Sequence, residues 1–533
     1  MTELQEQVTT VSRCRLLTPQ VLASLACSLL LLDLSVSFSF TTVVIGQLKN
    51  STGPLALDDG KASWIGSIAY ICQPLGAVSS GVLTDLMGRK RVMLLINLPF
   101  LLGWVLMATA SSFAMLCIAH VLMGITAGLI EAPLTTYIGE VCQPSIRGVM
   151  SCMSSVMYQL GSLLVLLTGT LTDWRTTAVI CTSIPVVTAV CLLLVPEAPI
   201  WLISKGRIKD AEKALCWLRG WEHGRAVLQE LSEMVSYHDS RGISSMVRCT
   251  QQYGAQDNHH NPEFARVQRT AEPSAFVNPS FVDDNNESVT EKIVRVDSDT
   301  RSGLIQRAKE MGRRPTRRPF LLIVAFMFFT AWSGYVAVRP FMIHVFTEFQ
   351  MPVSADWATV IQQVGGLMGA VVLAAGIRRI GKRPLSLVGS LVTGLCTLLL
   401  GVYALVELEA AKKEDRALWL PWAPLLLFAI MSFFNSSFGM VPWALLSELF
   451  PFRTRGFCTG VCSASHYVFV FAASKTFLLL EGGLQLYGTF WLYCAVNVIC
   501  FIVMYFQLPE TEGRTLQDIE RHFSKANTCS TDC

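Results

Sequence analysis

Two glutamates, Glu140 and Glu448, each stand seven residues ahead of an arginine that is followed by glycine, giving Glu140…Arg147-Gly148 and Glu448…Arg455-Gly456. Opposite charges at a repeated spacing can form ion pairs. Near a wet boundary such pairs hold one arrangement and still break at modest cost. Five further ionisable groups, Asp33, Glu131, Arg339, His344 and His466, fall inside strongly apolar runs. A charge at the centre of a bilayer costs about 2.5–3.5 kcal/mol on the insertion scale, so these residues are functional candidates. Arg339 is expected to pair with Asp33 or Glu131, or to meet an anionic or proton-coupled solute. The competing reading has Arg339 and His344 reaching outward to lipid headgroups from the end of their span. All of this is the chemistry of holding and releasing. The phosphate-binding pattern G-x-x-x-x-G-K-[ST] is absent, and no cofactor, no metal and no covalent catalysis are expected.

Those residues must be positioned by membrane helices. Of the 533 residues, 52% are hydrophobic and 15% charged, against about 25% charged in soluble proteins. A net charge of +3 argues against nucleic acid as a partner; the lipid bilayer is the expected one. Apolar stretches of roughly 20 residues recur, each able to cross about 30 Å of hydrocarbon. The hydropathy predicts an all-α membrane protein with twelve transmembrane helices, near 20–47, 64–84, 92–110, 112–137, 149–171, 177–195, 320–347, 358–377, 384–406, 420–446, 457–480 and 486–507. The 17 cysteines are scattered, show no C-x-x-C spacing and read as packing residues.

One set of short loops carries Arg89-Lys90-Arg91, Arg147, Arg378-Arg379, Lys382-Arg383, Arg453 and Arg455. The positive-inside rule therefore puts both termini and the large middle loop of the chain, which is expected in the plasma membrane, in the cytoplasm. Asn50-Ser51-Thr52 then lies outside, in a glycosylation sequon whose use the sequence leaves open. The expected organisation is a tail (1–19), a first six-helix bundle (20–202), a polar linker (203–318), a second bundle (319–508) and a second tail (509–533). The linker begins with an amphipathic helix, Lys205 to Leu218, and from about Ser240 to Ser302 it is too polar to order itself.

Local patterns recur in order in the two bundles. The E-x6-R-G segments match one another, Gly88-Arg89-Lys90-Arg91 has a counterpart in Gly381-Lys382-Arg383, and Pro196-Glu197 is echoed by Pro509-Glu510. Two repeats in parallel topology are the plan of the major facilitator architecture. At these residues the likeness becomes specific. Asp85-Leu-Met-Gly-Arg89-Lys90-Arg91 resembles the D-x-x-G-R-R/K signature of the major facilitator superfamily. Pro196-Glu-Ala-Pro-Ile-Trp201-Leu and Pro509-Glu-Thr-Glu-Gly-Arg-Thr-Leu516 resemble the P-E-S-P-R-W-L and P-E-T-K-G motifs of its sugar porter family. Tyr137-Ile-Gly-Glu140, Pro442-Trp443 and Ser447-Glu448-Leu-Phe450 fit the same family, and within it the chain is most like insect facilitated trehalose and hexose transporters.

The resemblance implies facilitated diffusion of a sugar, a hexose or a disaccharide such as trehalose, by alternating access in a protein functional as a monomer. It implies that Glu140, Arg147, Glu448 and Arg455 form salt bridges between the halves, with Asp85, Arg89 and Glu197 in the same gate. Gln159 would hydrogen-bond sugar hydroxyls and Trp443 would line the cavity. The family's span-7 amides are replaced by Thr330-Ala331-Trp332-Ser333-Gly334-Tyr335-Val336, so Thr330 and Trp332 are the candidates there. Gly366 and His466 stand where asparagines are expected in spans 8 and 11. The sugar site thus reads as largely rewritten. A non-transporting sensor on a carrier scaffold, and a carrier of a non-sugar, perhaps charged, solute, are the alternative functions.

Overall fold

The computed structural model describes residues 13–49, 51–220, 225–239, 314–408, 420–450 and 455–509. Asn50, the stretch 240–313, which contains the segment from Ser240 to Ser302 expected to be disordered, and both chain ends lie outside the described residues, as do the side chains of Glu448 and Arg455.

Membrane-length apolar helices dominate what is described. In the first half, spans 1 to 6 run over Leu17–Lys49, Asp59–Met87, Arg89–Ala108, Phe113–Val141, Ile146–Leu171 and Trp174–Leu194. In the second, span 7 is a bent pair, Arg317–Ala331 with Tyr335–Glu348, followed by Ala355–Gly376, Lys382–Val406 and Ala423–Leu446 as spans 8 to 10. The last apolar helix, Cys458–Gln507, holds 50 residues, about 75 Å of helix against about 30 Å of hydrocarbon. Gln485 breaks it with φ 60° and ψ 173°. Among the described residues ten helices, or eleven with the bent pair, are long and apolar enough to cross a membrane, against the twelve expected; the two limbs of the last helix are referred to as spans 11 and 12. Leu75, Val78, Val82, Leu98, Leu102, Val190 and Leu194 are exposed, as apolar side chains are where lipid rather than water surrounds a helix.

The repeat seen in the motifs is also structural. Span 2 packs on span 4 as span 8 packs on span 10. Between the halves, span 2 meets span 11 and span 5 meets span 8, contacts exchanged by the same rotation. The glycines of the paired G-[RK]-[RK] turns share an unusual backbone: Gly88 has φ +98°, ψ 160° and Gly381 has φ +82°, ψ 160°. That region is essentially closed to residues with a Cβ, which is why the turn keeps glycine in both halves. Small residues bring the helices together. A Cβ on Gly124 or Gly128 of span 4 would press into the span 2 backbone at Ala69 or at Gln73 and Ala77, and Gly365 and Gly369 of span 8 sit likewise against Ala429 and Phe433 of span 10.

Span 7 bends by 47° at Gly334, whose φ is +99°. A broken helix inside a membrane must find partners for its freed backbone groups; here the Ser333 carbonyl accepts from Asn497 Nδ2 at 2.9 Å. After span 6 the amphipathic helix expected from the sequence is found at Ile208–Leu218, with Ala211, Leu215 and Leu218 buried. Arg219 at its end bonds Glu230 and the Val141 carbonyl, tying the start of the linker to span 4.

Candidate solute site and gates

Half-way along the bundle, where spans 5, 7, 8 and 10 converge, lies a cluster of uncharged polar side chains shared by the two halves. Gln159 of span 5 donates from Nε2 to Ser436 Oγ of span 10. Ser436 in turn donates to the Gly366 carbonyl at 2.8 Å. Gln363 of span 8 donates to the Gln159 backbone and side-chain oxygens, each at 3.4 Å. Tyr335, just past the break in span 7, points its hydroxyl at Gln362 and Gln363, each 3.4 Å away, and at Ser432, 3.0 Å away. Gly366 has no side chain to fill the middle: a Cβ there would lie 2.6 Å from Ser432 Oγ and 2.7 Å from Gln159 Nε2. All these side chains are buried. Buried amides and hydroxyls that both donate and accept are matched to neutral, hydroxyl-rich solutes.

One turn further along span 7, Arg339 crosses from the second half into the first. Its Nη1 donates to Tyr158 Oη, and its Nη2 to Ser39 Oγ and Ser162 Oγ, all at 2.6 Å. Thr42 Oγ1 closes on its carbonyl at 2.8 Å. Arg339 pairs with neither Asp33 nor Glu131, and it does not reach outward to headgroups. Three hydroxyls from spans 1 and 5 satisfy the guanidinium instead, because the bend at Gly334 turns this stretch of span 7 inward. Beyond it, toward the Lys49 end, the halves stay in contact. Phe341 and Pro340 abut Gly66, and Ile343 abuts Gly46. Ser63 Oγ donates to the Lys475 carbonyl at 2.8 Å, and the Lys475 ammonium lies 3.9 Å from the centroid of the Trp64 ring. That end of the passage is closed. His344, expected near the span end, is bonded to Glu481 at 3.3 Å.

At the opposite end the predicted acidic and basic residues form a network, centred within the first half. Glu140 binds Arg89 at 3.0 Å, and Asp85 lies 3.6 Å from the same guanidinium. Glu197 caps the turn, accepting from the Lys90 and Ala198 backbone amides at 2.9 and 3.0 Å. Trp201 Nε1 donates to the Asp85 carbonyl at 3.1 Å. Arg147 donates to the Cys142 carbonyl at 3.2 Å. The expected links to Glu448 and Arg455 fall on side chains outside the described ones. Next to this network, burial pushes the Cys142 thiol up from its ordinary value, partly offset by its bond to Ser24.

The other predicted residues scatter. Asp33 is fully buried within the first half, accepts from Trp104 Nε1 at 3.1 Å and faces away from the seam between the halves. Glu131 lies against Ser463 of span 11. Trp443 and His466 meet edge to face at 5.4 Å, with Tyr467 beside them, while His466 Nδ1 is 3.3 Å from the Met327 carbonyl. Thr330 bonds its own helix at Met327. Trp332 stacks on Phe328 with centroids 6.0 Å apart. So Gln159 and Gly366 come together, Trp443 and His466 form a separate aromatic pair nearer the Arg89 end, and Thr330 and Trp332 join neither group by a direct bond. The site is less stripped of amides than its span 7 implies. Gln362 and Gln363 replace the missing groups from span 8, and Ser432 and Ser436 do so from span 10. Two adjacent amides in an apolar run were the signal for them, since amides are expensive there unless used.

The molecule is thus a helical membrane protein of two repeated bundles that meet at a central polar site, the architecture of a solute carrier. The chain matches the family described as "Sugar (and other) transporter" over residues 33–255 and 265–523, and it belongs to that family. It is similar to the facilitated trehalose transporter Tret1 of Apis mellifera ligustica, 27% identical over 508 residues that cover 95% of this chain and 88% of the bee protein. The corresponding Tret1 of Culex quinquefasciatus is 26% identical, over 94% of this chain and 85% of its own. Among solved structures, the inward open xylose transporter XylE from E. coli gives a TM-score of 0.67 at 19% identity, covering 94% of this chain and 98% of that one. The proton:xylose symporter XylE bound to 6-bromo-6-deoxy-D-glucose gives 0.63 at 18%, covering 95% and 99%. At such identities the structural likeness is one of fold.

Proposed function

We propose that this protein carries a sugar, a hexose or a disaccharide such as trehalose, across the plasma membrane by facilitated diffusion. The observation that carries the reading is the neutral amide and hydroxyl cluster at Gln159, Gln363, Ser432, Ser436 and Tyr335, shared by both halves in a member of the sugar transporter family. Amides and hydroxyls exchange bonds with sugar hydroxyls at little net cost, whereas a charged solute would need a counter-charge there. Arg339, the nearest cation, already holds three hydroxyls, which gives no support to an anionic solute.

In this account Gln159 and Gly366 lie at the sugar site. Trp443 and His466 form its aromatic wall toward the Arg89 end, with Thr330 and Trp332 on the flank. The Lys49 end faces outside, both termini face the cytoplasm, and the protein works as a monomer. Asp85, Arg89, Glu140 and Glu197, with Arg147, Glu448 and Arg455, form the cytoplasmic gate, and Asn50 is open to glycosylation. The halves rock about the central cluster so that one end opens as the other closes.

Purified protein in liposomes, offered labelled glucose, trehalose, a polyol and a sugar acid, tests the reading. Saturable uptake of a neutral sugar supports it; saturable uptake of the sugar acid alone, or none at all, rejects it. Because Asp33 faces Trp104 and not the seam, Asp33→Asn is expected to leave the pH profile of that uptake unchanged between roughly pH 5.5 and pH 8. A flattened or displaced profile would assign Asp33 a part in coupling.

A further inference from the structure

We propose that Gln363 of span 8 reads the solute's hydroxyls from the second half. The proposal rests on the sugar-carrier reading and deepens it.

Three observations point to this residue. First, Gln363 is 2% exposed, yet its side chain makes only long contacts, at 3.4 Å to Gln159 Oε1, to the Gln159 carbonyl and from Tyr335 Oη. Ordinary N–H···O bonds are about 2.9–3.0 Å long. These contacts are weak and are readily exchanged for hydroxyls brought by a solute. Second, Gln159 belongs to the first half and Gln363 to the second, so the bond between them spans the seam that must part in each cycle. When it parts, both amides lose partners together. A buried amide left unsatisfied pays the full cost of its lost hydration. A solute with hydroxyls on both its faces meets that need and an apolar one does not. Third, the surroundings aim the amide. Tyr335 Oη is anchored at 3.0 Å to Ser432 Oγ and donates toward Gln363 Oε1, which leaves Nε2 directed across the seam. Gly366, one turn on, supplies the space, since a Cβ there would fall 2.7 Å from Gln159 Nε2 and 3.5 Å from Gln363 Nε2. Thr359, one turn before Gln363 in span 8, is likewise buried but donates to the Asp356 carbonyl of its own helix at 2.6 Å, and it serves as the control.

The experiment compares wild type, Gln363→Leu, Gln363→Met and Thr359→Val in liposomes, using labelled glucose competed by each monodeoxyglucose. Wild type is expected to discriminate against one or more deoxy analogues. Gln363→Leu should raise the half-saturating glucose concentration about tenfold or more, the effect of losing one hydrogen bond to a buried polar group, and should lose discrimination at one ring position only. Thr359→Val should keep both. If Gln363→Leu does not fold, the near-isosteric Gln363→Met, which removes the amide and adds no charge, carries the same expectation. A uniform loss toward glucose and every analogue, or unchanged half-saturation in a folded variant, overturns the role of Gln363 while the carrier reading stands. Absence of saturable sugar flux in wild type overturns both.

Discussion

Arg339→Leu is expected to shift the protein toward forms open at the Lys49 end. In the closed form the guanidinium holds Ser39, Ser162 and Tyr158 of the first half from a helix of the second, and these bonds must break for that end to open. Hydrogen bonds to charged groups are worth about 1.5–3 kcal/mol each. The open form rehydrates the arginine and recovers part of that, so the net bias is put at about 1.5–3 kcal/mol, roughly 10- to 150-fold in the ratio of the two shapes. Accessibility of a cysteine introduced at Gly46, which now abuts Ile343, to a membrane-impermeant maleimide reads that ratio. Labelling at least tenfold faster in the Arg339→Leu background is the expected result. Equal rates would mean that the three hydroxyl bonds do not hold the end shut. Arg339→Lys should fall between, because an ammonium keeps the charge but lacks the planar fork that reaches several partners at once.

Gly128→Leu should prevent the first half from assembling. A Cβ at this position would press on the Gln73 carbonyl, the Ala77 nitrogen and Gly76, which are backbone atoms of span 2 and cannot rotate away. Forcing spans 2 and 4 apart also strips the close packing that stabilises helices in lipid, where no hydrophobic drive between them compensates. Overpacking costs about 1–3 kcal/mol where side chains can yield, and more is expected where backbone must. Gly81→Leu, in the partner span 2 but with nothing within 4 Å of its Cβ, should be tolerated. Yield of monodisperse protein and its Tm in detergent distinguish the two, and equal behaviour would refute the packing account.

Much of this architecture is legible in the sequence because lipid imposes a simple rule. Apolar runs of membrane length become helices, so the predicted 92–110 and 177–195 are found at Arg89–Ala108 and Trp174–Leu194. The repeated G-[RK]-[RK] turn is legible too, and the matching backbone angles of Gly88 and Gly381 give it a physical cause. The break in span 7 is not. Thr330 to Val336 reads as continuous apolar helix, and only the positive φ of Gly334 shows that the stretch behind it turns inward. That turn decides the partners of Arg339, which charge pairing alone assigned to Asp33 or Glu131. Hydropathy finds Asp33 but not its facing, since the direction of a side chain around a helix depends on neighbours, here Trp104. The candidate site was half legible. Gln159 and Gly366 stand where motif positions place them, while the compensating amides of span 8 escape a search confined to the motif of span 7.

The central claim is that the two halves rock about the Gln159–Gln363 seam and so present one sugar site to each side of the membrane in turn. Counterflow tests it most directly. Liposomes containing the purified protein are loaded with unlabelled sugar, either glucose or trehalose, and diluted into a trace of the same sugar in labelled form. A single alternating site predicts a transient internal accumulation of label above the external concentration, absent in empty liposomes. A monotonic approach to equilibrium, at a rate that does not depend on the sugar inside, would contradict it.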